Sequence, residues 1–215
     1  MTNISISVYH LVFFAELIDK TFGSLEKLLD AGVFDNSTNE ELRLMVQTNA
    51  CIQILLYTDS LIEEYNKYFK VTEAKTDTEY AKVEQTRELL KPVFKKINEW
   101  TELKDFRNNV LAHNYRVQKL GYKSVFISKG LSGYNIPQRI LDFAFLIQCI
   151  DLVRQIVYKI FKEKYLEILG EVDKIRISTR KPALNENRNY REEYEELRKE
   201  IWRRKEIIEA RYPEQ

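Results

Sequence analysis

"QRILDFAFLIQCIDLVRQIVYKIFKEKYLEIL", residues 138–169, decides the fold. It runs without a glycine or proline, and its apolar residues recur at helical spacing over a wide arc. A helix that apolar needs neighbours on several sides. It is therefore expected to be the central member of a helical bundle.

Working outward, residues 121–137, "GYKSVFISKGLSGYNIP", break the helical pattern. Their glycines, proline and β-branched residues predict a loop, with room for a short hairpin. Downstream, "GEVDKIRISTRKPALNENR" (170–188) reads as a linker into a charged helix at 188–211. Tyr190, Tyr194, Leu197, Ile201 and Ile208 form a heptad-like seam there, broken at Arg204. The domain expectation is a bundle over 1–170 and a linker with a charged helix over 171–215.

The N-terminal half predicts three more helices. Over 5–30, Val8, Leu11, Val12, Ala15, Ile18, Phe22, Leu25 and Leu29 share one side. Ser37 and Glu40 have capping-box spacing before a helix at 38–69. Its buried side is assigned to Leu42, Met45, Val46, Asn49, Ile52, Leu55, Leu56, Leu61 and Ile62. "TEAKTDTEY" (72–80) reads as a linker. Val83, Leu89, Leu90, Phe94 and Ile97 form the apolar side of a helix at 79–99, where Pro92 is placed to kink it. Asn98 or Thr101 can start a further helix at 102–119. The expected fold is all-α: an antiparallel four- to five-helix bundle with a loop insertion and a charged C-terminal helix.

The totals narrow the function. A net charge of +1 excludes a globally basic nucleic-acid coat, so any RNA contact must be a local patch. Cys51 and Cys149 lie in apolar patterns and lack zinc spacing, which fits a reducing cytoplasm. The run "VYHLVFFA" lacks a basic leader and is followed closely by Glu16 and Asp19, so neither a signal peptide nor a membrane span is expected. The expectation is a cytoplasmic protein without membrane, metal or cofactor.

The chemistry-bearing stretch is "FRNNVLAHNYR", residues 106–116. On an ideal helix of about 100° per residue, Leu103, Phe106, Val110 and Val117 form an apolar stripe. Arg107 and His113 lie on its two borders, about 120° apart with a rise of about 9 Å. One straight helix does not aim both at the same atom. A helix starting near Arg107, or two copies meeting across a two-fold axis, would do so. Asn114 would line such a seam, and Asn109, His113 and Arg116 form a polar row.

RNA cleavage by the ribose 2′-hydroxyl needs a base and an acid but in principle no metal. Histidine, with an intrinsic pKa of about 6.5, serves in either role near neutral pH. Arginine can hold two phosphate oxygens as negative charge gathers. Asparagine can orient phosphate or ribose. Arg116, Lys119, Lys123 and Lys129, interleaved with Tyr115, Tyr122 and Tyr134, suit single-stranded RNA, basic groups among stacking aromatics.

"LKDFRNNVLAHN" resembles the signature of HEPN domains, small helical bundles whose motif is an Arg, often a following polar residue, and a His four to six residues on. Arg107, Asn108 and His113 match it, and Ala112–His113 resembles the abortive-infection subgroup. The resemblance implies a homodimer with a composite cleft and metal-independent endoribonuclease activity. It also implies a toxin or phage-defence role, in some members with an antitoxin or regulatory partner. Carried over, Arg107 and His113 are catalytic and Asn108 supports them.

Plainer readings stand beside these. His113 also suits the edge of a buried stripe, and Arg107 a surface ion pair with Glu102 or Asp105. His10 reads as a structural residue without a partner. Two other functions compete with the nuclease. One is a non-catalytic helical module that binds a nucleotide or partner protein. The other is a scaffold assembling through the C-terminal seam.

Overall fold

The computed structural model describes residues 2–32, 40–108 and 133–178, and, nearer the C-terminus, 189, 191–192, 194–196, 198–200 and 203. Its helices are α1 (Asn3–Asp30), α2 (Glu40–Lys67), α3 (Asp77–Ile97), the short α4 (Leu103–Phe106) and α5 (Ile140–Ser178). A 3-10 turn, Val71–Glu73, precedes α3. No strand occurs among the described residues, so the all-α expectation holds. No helix among them is long and apolar enough to cross a membrane.

The long helices alternate in direction. Ser7, near the start of α1, donates to Glu64, near the end of α2. Trp100, just past α3, meets Phe145 early in α5, while Glu79 at the start of α3 pairs with Lys164 late in α5. Ile4, Val8, Leu11, Ala15 and Ile18 bury the α1 stripe against Ile54, Leu61, Val83, Leu90 and Phe94. Each of these side chains larger than alanine contributes about 1.5–3 kcal/mol on leaving water.

Local chemistry sets the ends. Thr2 caps α1 by accepting from the Ser5 N–H, and Gly32 follows the helix at φ 64°, a left-handed position that favours glycine. Thr76 accepts from the Glu79 N–H, while the Glu79 carboxylate takes the Lys75 N–H at 2.7 Å. This reciprocal cap starts α3 inside the stretch expected to be a linker. The cap expected at Ser37 lies outside the described residues. Arg87 closes the other end of α2, donating to the carbonyls of Tyr65 and Phe69 with its guanidinium over the Tyr65 ring.

Several expectations need correction. α5 buries one stripe (Leu146, Ile150, Val153, Val157 and Phe161) and leaves Leu141, Phe145, Leu152 and Leu166 exposed. It is not wrapped on all sides. Its backbone departs from helical geometry at Phe161, yet it continues to Ser178, into the expected linker. The first turns of α2 are exposed, with Leu42 at 45% and Met45 at 55%, and Asn49 is exposed too. Leu89 is exposed while its neighbour Leu90 is fully buried. α3 runs through Pro92 as one helix.

The chain divides into two compact units, Met1–Val172 and Asp173–Gln215. In the second, the described residues between 191 and 203 are helical, with Asn189 capping through the Glu192 N–H and Glu200 paired to Arg203. Tyr194 is exposed; Tyr190, Leu197, Ile201 and Ile208 lie outside the described side chains. The segment expected to loop lies outside up to residue 132, and Gly133–Pro137 form turns.

Candidate functional site

Two residues of the motif are described, and both follow α4. Leu103 and Phe106 are buried and pin that helix to the core, Phe106 edge-on to the Tyr134 ring at 5.7 Å. The returning segment clamps the same corner. Asn135 donates its backbone N–H to Glu102 at 2.6 Å and its side-chain amide to the Glu99 carbonyl and the Thr101 hydroxyl. Arg107 carries the helical course of α4 one residue further, its backbone N–H reaching the Leu103 and Lys104 carbonyls.

Arg107 turns toward α2. Its Nη1 lies 2.5 Å from Asp59 Oδ2 and donates to Glu63 Oε2 at 3.0 Å. Its Nε donates to Asn108 Oδ1 at 3.3 Å. Asp59 and Glu63 are one helical turn apart and share a face of α2. Glu63 gives its other oxygen to Lys67, a further turn along. Exposure rises outward, from 8% for the Asp59 side chain to 28% for Arg107 and 35% for Glu63.

The two carboxylates differ in character. Burial pushes the Asp59 carboxyl up; Arg107 opposes this, and Glu63 adds to it. Among the described residues Asp59 Oδ2 has no aligned hydrogen-bond donor, despite its ion-pair distance to Arg107. Charge, not hydrogen-bond geometry, holds that contact. Glu63 is the reverse: hydrogen bonds from Lys67 and then Arg107 hold its carboxyl below the usual range.

No family model, curated protein or solved structure matches the chain.

The site's chemistry therefore rests on the residues themselves. A guanidinium tethered at one terminal nitrogen can present its remaining N–H groups to an anion, with Asn108 beside it and Lys67 and Lys104 near enough to act on Asp59. One turn back along α2, Leu55 and Cys51 join Phe106, Ile136, Pro137 and Phe143 in a groove of about 320 Å³ with Gln47, Thr48 and Gln138 as polar groups. Burial pushes the Cys51 and Cys149 thiols up, so neither is a ready thiolate. Among the described residues no group of three or more His, Cys, Asp or Glu is placed to hold a metal ion.

The Arg107 partners correct the sequence reading. Glu102 and Asp105 were the expected carboxylates; Asp59 and Glu63 are the observed ones, and Glu102 instead accepts from Asn135. Sequence did hold a signal: Leu55, Asp59 and Ile62 fall at i, i+4 and i+7, so an acid sits in an apolar stripe. His10 also has a partner. Its Nδ1 lies 3.1 Å from Glu64 Oε2, and Glu64 accepts from Ser7 at 2.6 Å. The hydroxyl is bonded to the carboxylate, not to the imidazole, so this is no serine–histidine nucleophile pair. Tyr134, expected among the RNA-stacking aromatics, is instead buried against Phe106 and offers no face to a base; His113, Asn109, Asn114, Tyr115, Arg116, Lys119, Tyr122, Lys123 and Lys129 lie outside the described residues.

Proposed function

We propose that the chain is a metal-independent endoribonuclease of HEPN type. It acts as a homodimer whose two Arg107–His113 motifs form a composite cleft on RNA. His113 moves the proton and Arg107 holds the phosphate as charge gathers on it, with Asn108 in support. The role is that of a toxin or phage-defence effector held in check by an antitoxin or regulatory protein, in the cytoplasm.

The observation that carries the reading is the placement of Arg107. Arg107 directly follows a late, short helix of an all-α bundle, beside Asn108, partly exposed and paired with buried Asp59. A fixed cation suits a transition state that needs no reorganisation at the moment of reaction. Cleavage of mixed single-stranded and structured RNA in EDTA, by wild type and His113→Ala side by side, tests it. Cleavage by wild type alone supports the reading; equal cleavage by both places the activity elsewhere.

One observation favours the second reading, a non-catalytic module that binds a nucleotide or a partner protein. Asp59 and Glu63 already engage Arg107 within the chain, so its charge is in large part met without any phosphate. That reading predicts binding without turnover and tolerance of His113→Gln.

A further inference from the structure

We infer that the two carboxylates on Arg107 have opposite roles: Asp59 is a positioning residue that stays with the guanidinium, and Glu63 is a resident anion that the RNA phosphate displaces. This rests on the proposal that Arg107 holds a phosphate.

The asymmetry is built into α2. Asp59 is the inner group, with its side chain 8% exposed and its charged oxygen against Nη1. An incoming phosphate reaches it only by moving the arginine. Glu63 is the outer group, more than four times as exposed, and it already divides its oxygens between Arg107 and Lys67. Releasing Arg107 leaves Glu63 paired with Lys67, so its charge is not stranded. The lost hydrogen bond is replaced by one from guanidinium to phosphate, of the same charge-assisted kind. Glu63 then occupies the empty site, and the bound state uses Asp59 as the fixed point.

One guanidinium with two acids gives opposite predictions for two similar substitutions. Glu63→Gln removes the competing anion, so affinity for RNA rises by about two- to fivefold, the range of a partly exposed ion pair. Asp59→Asn frees the arginine, so the rate of the bound complex falls at least about tenfold, and Asp59→Glu, which restores the charge, recovers part of it. A merely structural role would move both variants the same way.

The experiment uses the full chain in EDTA. Affinity is read by fluorescence anisotropy with a labelled 2′-O-methylated single-stranded RNA, which lacks the attacking hydroxyl. Turnover is read on the unmodified RNA under saturating protein. Tighter binding by Glu63→Gln with slower turnover by Asp59→Asn supports the inference. Unchanged or weaker binding by Glu63→Gln overturns it, and this variant alters only a partly exposed group if Asp59→Asn fails to fold. If wild type binds but does not cleave, the nuclease proposal fails and the affinity arm alone decides the exchange. If wild type does not bind, both fail.

Discussion

Arg107 Nη1 stands 2.5 Å from Asp59 Oδ2, a contact between residues far apart in the chain that joins the motif to the buried face of α2. Burial leaves the Asp59 carboxyl raised in the folded protein. For an acid with a raised folded pKa, the folded state binds more protons, so the associated stability is full below the ordinary value of 3.8 and is lost as pH rises through the folded pKa. Asp59→Asn removes that loss. The variant's stability relative to wild type should therefore improve from pH 3 toward neutrality, as read by urea denaturation at each pH. A relative stability that worsens over that range would contradict the direction of the shift.

Glu79 titrates with the opposite sign. It is buried, and although burial raises its carboxyl, Lys164, the Lys75 N–H and Thr2 outweigh this and leave it lowered. Its stabilisation is present above the ordinary value of 4.5 and lost as pH falls through the folded pKa. Glu79→Gln should cost about 1–3 kcal/mol at neutral pH. It should also flatten the acid limb of the stability curve; an unchanged limb would remove Glu79 from the acid response.

Leu89 and Leu90 are neighbours on α3 with opposite fates, one half exposed and the other fully buried. Leu90→Ala should cost about 2–5 kcal/mol, from lost burial and the cavity left behind. Leu89→Ala should stay within about 0.5 kcal/mol. Equal costs in chemical denaturation would mean that Leu89 is covered in solution.

Much of the fold was legible because period is a local property. The stripe from Val8 to Ile18 reads directly as the buried face of α1, and Val83, Leu90, Phe94 and Ile97 do the same for α3. Burial itself is not local. Leu42, Met45 and Leu89 carry the right pattern but find no cover, and Leu141 is exposed on α5, the helix expected to be central. Gly170 and the charged residues around it hid the continuation of α5, although Ile168, Val172 and Ile175 keep helical spacing across the join. At the site, Arg107 and Asn108 were visible as a motif. Asp59 showed only as an acid in an apolar stripe and Glu63 not at all, because their partner lies more than forty residues on in the chain, and the nearer Glu102 is taken by Asn135.

The most direct measurement is the product end left on RNA in EDTA by wild type and by His113→Ala. Attack by the 2′-hydroxyl must leave a 2′,3′-cyclic phosphate and a free 5′-hydroxyl. The expected result is that pair of ends from wild type and intact RNA from His113→Ala. A 5′-phosphate product, or the same cyclic ends from both proteins, would contradict a nuclease built on Arg107 and His113.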